Sequence, residues 1–337
     1  MKQVKAQHVS TTDPVRMAMS YAQESVSPMR MAKALRRVYE DPQNPANPNY
    51  VPDGPETQKR SKQLADIGMA DLGMRRGSFV VDIKRQSLIT NPGQVFCRFD
   101  SASMVAEAMV RLGADVVLIN TDFAAYGGDM TELKSAVRAV RAVSDSAAVV
   151  MKDIVVDEIQ LGLAKEAGAD GIYLISSVLG PALETFLDVA TSIGLETIVE
   201  CHTLNEVQRA LDILAPTIVV NNYDRISQQN YPEQAIQLAG MFPGSGGPII
   251  CLATGGIEDT DQMKRHLAVG YDGVIVGKAV MGSPKAPEFI RAVRDRTLLP
   301  AEFSQWGLES VEFDLDGNAM PGPNSDVPSP DDADVYQ

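Results

Sequence analysis

Ala147-Ala148-Val149-Val150-Met151-Lys152-Asp153 is a short apolar run that ends abruptly in a lysine. An unpaired ammonium is strongly disfavoured in a low-dielectric interior, so a lysine closing a buried strand must face a polar cavity. The pattern of an apolar run with a polar exit recurs along the chain. From Phe79 onward, short β-branched runs alternate with longer amphipathic segments. Strands are predicted over 79–83, 116–119, 148–151, 171–175, 197–199, 218–220, 249–252 and 273–276. Helices are predicted near 101–112, 130–143, 156–167, 181–193, 203–214, 232–241, 259–269 and 286–296, with Gly113, Gly168, Gly194 and Gly270 placed as C-terminal caps.

Continuous apolar strands alternating with helices imply parallel pairing through right-handed crossovers. Eight such units fit a closed (β/α)8 TIM barrel over residues 78–297, and the G-x-G-x-x-G fingerprint of an open dinucleotide-binding sheet is missing from the first βα turn. Residues 1–77 form an N-terminal extension. It carries one helix over 29–39, a Pro- and Asn-rich linker over 41–55 and helix-like sequence over 57–72, suited to a lid, a barrel-bottom plug or a partner-binding arm. The Arg-rich part, Arg30 to Arg37, reads as a solvated helix face. Residues 298–337 form a C-terminal extension that ends in an acidic, Pro-rich and disordered tail, with few large apolar residues to bury.

The 337 residues carry a net charge of -14, which argues against nucleic acid or an anionic membrane as the main partner. No apolar run is long enough to suggest membrane insertion, and residues 1–30 lack the apolar block of a secretory signal. Three dispersed cysteines, Cys97, Cys201 and Cys251, point to a soluble protein of a reducing compartment. Cys201 is expected to pack, because it points away from its neighbour Glu200.

A barrel of this class builds its site at the C-terminal ends of its strands. Those ends present Asp82, Lys84 and Ser87 after strand 1, Lys152 after strand 3, and Glu200 with His202 after strand 5. Asn221 and Asn222 follow strand 6, Gly255-Gly256 strand 7 and Gly277-Lys278 strand 8. One glycine pair makes only a tight turn, but two adjacent glycine exits beside Lys278, with a helix start near Ile257, read as a phosphate cradle. Lys84, Lys152 and Glu200 on alternate strands suit acid–base chemistry, with an ordinary salt-bridge network as the plainer alternative. His202 is more simply a hydrogen-bonded wall residue, and no metal cluster is evident with three histidines in the chain.

These stretches together resemble indole-3-glycerol phosphate synthase, the (β/α)8 lyase of tryptophan biosynthesis. The resemblance runs from about Ser78 to Met281. It is carried by Asp82-Ile83-Lys84-Arg85-Gln86-Ser87, Tyr126-Gly127-Gly128, Met151-Lys152-Asp153, Val199-Glu200-Cys201-His202, Asn221-Asn222, Gly255-Gly256-Ile257 and Val276-Gly277-Lys278-Ala279-Val280-Met281. It implies a carboxy-lyase that closes the indole ring of a carboxyphenylamino-deoxyribulose phosphate without metal or organic cofactor. Lys152 would be the general acid, and Lys84 would hold the substrate carboxylate. Glu200 would stabilise a cationic intermediate or take the final proton, with Asp82 completing the catalytic set. Ser87, Asn221 and Tyr126 would bind substrate, and Gly255, Gly256, Gly277 and Lys278 its phosphate.

Four positions depart from the family. Asp82 replaces Glu, which withdraws the carboxylate by about 1.5 Å; Tyr223 replaces Arg; Gly255 replaces Ser; Ser87-Leu88 replaces Ser-Pro. They leave open a rival reading: a catalytically impaired barrel serving a larger assembly as a structural or regulatory subunit, through residues 1–75 or the acidic tail. Plant enzymes of the family are plastid-located, so the resemblance places the protein in the cytoplasm or the plastid stroma.

Overall fold

The computed structural model describes residues 29–40, 77–87, 95, 97–244, 246–281 and 289. The predicted segments 57–72 and 321–337, Leu88, and the helix of 286–296 apart from Phe289, lie outside them. The elements, in order, are α1 (Arg30–Glu40), β1 (Ser78–Ile83), α2 (Ala102–Arg111), β2 (Val116–Asn120), α3 (Phe123–Tyr126), α4 (Met130–Val143) and β3 (Ala148–Lys152). There follow α5 (Ile159–Glu166), β4 (Gly171–Ile175), α6 (Ser176–Leu179), α7 (Leu183–Ser192), β5 (Glu196–Cys201) and α8 (Leu204–Asp212). The chain continues with β6 (Thr217–Asn221), α9 (Gln234–Leu238), β7 (Ile250–Thr254), α10 (Thr260–Ala268), β8 (Gly273–Val276) and α11 (Lys278–Met281). The strands pair in sequence order, all parallel, and β8 closes onto β1. The predicted (β/α)8 barrel is therefore present, with strand ends within two residues of the expected ones.

Side chains alternate across each strand, and this divides the core in two. Val80, Leu118, Val150, Tyr173, Ile198, Val219, Leu252 and Ile275 fill the barrel interior. Phe79, Val81, Val117, Val149, Leu174, Val199, Cys201 and Val274 face the helices, so Cys201 packs outward as expected. The same alternation continues each inward row to the mouth. Two residues beyond an interior side chain come Asp82, Asn120, Lys152, Glu200, Asn221 and Thr254, which are therefore aimed at one place. Gly113, Gly168, Gly194 and Gly270 all have positive φ, 65° to 114°, the left-handed geometry of helix C-caps.

The opposite end is closed by α1, which resolves the choice left open for that segment in favour of a plug. Met31, Ala34 and Leu35 join the interior cluster. The cationic side of α1 is not a solvated face, because the barrel bottom supplies acceptors for it. Arg30 donates to the carbonyls of Ala147 and Ser144 (2.7 Å each), Arg36 to those of Gly247 and Pro248 (2.9 Å each), and Arg37 pairs with Asp115 (2.5 Å). Glu196, at the foot of β5, accepts from Met31 N (2.6 Å) and Ala32 N (2.8 Å), two N–H groups that the first turn of a helix leaves without intrahelical partners. Glu196→Ala is expected to lower stability by about 1–2 kcal/mol, the usual scale for a lost cap, measurable by urea titration; an unchanged midpoint would show that the plug does not depend on this carboxylate.

Candidate active site at the barrel mouth

Asn120 on β2 pairs with Lys152 on β3, and Asp82 on β1, in register with Leu118, lies two residues below Asn120. One carboxylate oxygen, Asp82 Oδ2, accepts from Lys84 Nζ (2.5 Å) and Lys152 Nζ (3.0 Å), while Oδ1 accepts from Asn120 Nδ2 (2.7 Å). Shortening the side chain from Glu to Asp thus leaves it within reach of both lysines. Burial alone would raise the Asp82 carboxyl, but the two ammonium groups outweigh burial and hold it well below the usual carboxylate range. Burial, helped by the neighbouring Lys84 ammonium, lowers Lys152 to about 8 despite the opposing pull of Asp82. Its ammonium lies over the Tyr173 ring, 4.7 Å from the centroid.

Asp82, Lys84, Ser87, Tyr126, Lys152, Asn221, Gly255, Gly256, Gly277 and Lys278 line a single cavity, together with Tyr223, Arg225, Asn230, Thr254 and Glu258. Of the residues given a catalytic or binding role from sequence, only Glu200 is missing from its wall; His202 and Asn222, also expected at the strand ends, are buried and do not line it. Glu200 is fully buried beneath the wall, where both oxygens are taken. Arg225 grips it through Nε and through Nη2 (2.9 Å); Tyr173 OH donates to Oε2 (2.5 Å), and His202 Nε2 lies 3.1 Å from Oε1. Burial would raise the Glu200 carboxyl, but Arg225 and then His202 hold it well below its ordinary range. Burial would lower His202, yet its bonds to Glu200 and Glu206 raise it to about 9, so the imidazole is a cationic wall residue between two carboxylates.

Arg225 carries the largest difference from the sequence reading. Read from the sequence, Tyr223 leaves the site without a guanidinium, but Arg225, two residues further along, brings one to the cavity. It lies on a small hairpin after β6, closed by a bridge between Tyr223 and Asn230. No periodic pattern marks such a residue. Asn120 was legible in principle, as the inward residue two places beyond Leu118, and Asn230 was not.

On the far side of the cavity, Gly255 and Gly256 have φ of 89° and 68°. A Cβ on Gly255 would lie 2.4 Å from Asn221 Oδ1 and 2.8 Å from Asn222 N. That oxygen already accepts from Tyr223 N (3.0 Å), so the loss of the family's serine and the turned-in asparagine form one local arrangement. Lys278 stands at the rim, more than half exposed and 3.5 Å from Glu258. The helix expected to start near Ile257 starts at Thr260, because Asp259 and Gln262 form a capping box there. Among the described residues no cluster of three His, Cys, Asp or Glu side chains could hold a metal ion, and no helix is long and apolar enough to cross a membrane.

Comparison with known proteins places this geometry. The family model described as indole-3-glycerol phosphate synthase matches residues 53–293. Curated relatives with that description include one from Micrococcus luteus, 33% identical over 58% of this chain and 70% of its own length. Another, from Carboxydothermus hydrogenoformans, is 30% identical over 53% of this chain and 66% of its own length. A third, from Roseiflexus sp. (strain RS-1), is 28% identical over 70% of this chain and 89% of its own length.

Proposed function

Because the chain belongs to the indole-3-glycerol phosphate synthase family, we propose that it is a carboxy-lyase that closes the indole ring of a carboxyphenylamino-deoxyribulose phosphate in tryptophan biosynthesis, releasing carbon dioxide and water. The observation that carries this reading is the meeting of Lys84 and Lys152 on Asp82, on the wall of a cavity whose other side is a glycine cradle. Backbone N–H groups around Gly255, Gly256 and Gly277 on the cavity wall would suit the phosphate, with Lys278 adding charge at the rim. In an acidic protein this supplies local positive charge, since Lys84, Lys152 and Arg225 face the cavity against Asp82 and Glu258.

With the phosphate anchored there, the sugar carbonyl lies toward Lys152. As the ring carbon bearing the carboxylate attacks that carbonyl, Lys152 gives a proton to the oxygen, and Lys84 holds the carboxylate until it leaves as carbon dioxide. The resulting hydroxyl departs as water with a second proton from the acid. Glu200 offsets positive charge on the nitrogen or takes the proton lost as the new ring becomes aromatic. Ser87, Tyr126 and Asn221 orient the substrate. The chemistry is acid–base throughout and calls for neither metal nor organic cofactor. Lys84 and Lys152 remain gathered with Asp82 on an open cavity, which favours the lyase over the rival scaffold reading.

A lysine that must be protonated and titrates near 8 sets the alkaline side of the pH profile. The expected kcat/KM is level near neutrality and falls tenfold per pH unit above about 8, because this ratio reports the free enzyme. Steady-state turnover of the carboxyphenylamino-deoxyribulose phosphate from pH 6 to 10 tests this; a profile flat to pH 10 would remove Lys152 from the role of acid.

A further inference from the structure

Glu200 and Arg225 stand in an unexpected order: the carboxylate needed late in the reaction is sealed in the wall, and the guanidinium that seals it faces the cavity. Arg225 gives three N–H groups to Glu200 and to Tyr126 OH (2.8 Å), which leaves two of a guanidinium's five donors available at the cavity surface among the described residues. A second carboxylate arriving in the cavity can therefore be recognised by the same planar fork.

We propose that Arg225 is a positioning residue that holds Glu200 out of reach until the substrate's ring carboxylate takes the guanidinium over. This rests on the lyase reading above and adds to it an order of events. Binding exchanges one carboxylate for another on Arg225, and Glu200 is released as a proton acceptor only in the occupied site. Once released, it is not stranded, since Tyr173 OH and His202 remain on it. The hairpin that carries Arg225 lies after β6, outside the barrel strands. It is held by the Tyr223–Asn230 bridge and by Asp224, whose side chain accepts from Ile226 N (2.8 Å), and Ile226 at its tip is 74% exposed.

The test uses two probes that cannot close the ring: the substrate with its ketone reduced to an alcohol, and the same compound lacking the ring carboxylate. Calorimetry on the full chain is expected to show a preference of roughly 30-fold for the carboxylate compound, the scale of a charge-assisted pair. In Arg225→Met the preference should fall to about threefold, the part left to Lys84 on the same cavity, and Arg225→Lys, which keeps the charge but not the fork, should lie between them. If the methionine variant does not fold, the lysine variant decides, and an undiminished preference in it overturns the proposal. A second readout separates positioning from mere support of the fold. Losing Arg225 releases Glu200 from its strongest partner, so the acidic limb of kcat/KM should move to higher pH in the variants that fold. A uniform loss at every pH with no movement of the limb contradicts the exchange. Equal binding of both probes by a wild-type protein that turns over substrate defeats this inference, and Lys84's hold on the carboxylate with it, while ring closure itself stands; no binding and no turnover defeats both.

Discussion

Lys152→Met is expected to lower kcat by roughly 10²–10⁴-fold, the range lost when a positioned general acid is removed. Methionine keeps most of the length and apolar volume of the lysine stem, so the change is chemical rather than steric. The fold should tolerate it. Asp82 keeps Lys84 and Asn120 as partners, so its charge is not left alone. Lys152 is itself almost fully buried, and relieving a buried ammonium of its desolvation offsets the pair that is lost. Thermal unfolding is therefore expected to change by only a few degrees while turnover collapses. Turnover within threefold of wild type would show that another group supplies the proton.

Gly255→Ser, which introduces the residue that the resemblance leads one to expect there, is expected to harm the protein. The backbone at Gly255 has φ of 89°, a region that costs a residue with a Cβ about 1–3 kcal/mol, and the new Cβ would lie 2.4 Å from Asn221 Oδ1. Because two of the nearest atoms are backbone nitrogens of Asn222 and Tyr223, the strain cannot be relieved by turning a side chain alone. We expect a stability loss of roughly 2–4 kcal/mol, with a rise in KM from displacement of Asn221 and of the neighbouring glycine cradle. Denaturant titration with steady-state kinetics measures both. A variant as stable as wild type, with improved KM, would mean that the glycine is a defect rather than part of a rebuilt corner.

Much of the site was legible because a strand has a period of two. Lys152 is an anomaly only if its strand is buried, and once the strand is placed in a barrel, Asp82 and Glu200 fall on the same inward row at the same height. What escaped was set by loops and by long-range partners. Arg225 is four residues beyond the end of β6 on a hairpin whose shape no local pattern announces, so Tyr223 read as a missing guanidinium when Arg225 supplies one. The reading of Glu200 as a cavity residue had the right strand and face but could not foresee the cover placed over it. Arg30, Arg36 and Arg37 form a cationic stripe, which on an isolated helix belongs in water. Their acceptors are carbonyls and an aspartate at the feet of distant strands, and only the closed barrel brings those together. The late start of α10 had a local signal, Asp259 with Gln262 three residues on, that outranks the glycine turn before it.

The most direct test is to incubate the purified protein with carboxyphenylamino-deoxyribulose phosphate and follow indole fluorescence and released carbon dioxide together. Equal amounts of both products, formed by the wild type and lost in Lys152→Met, are predicted. Neither product at high enzyme concentration, from a protein shown to be folded, would contradict the assignment of this cavity to indole ring closure.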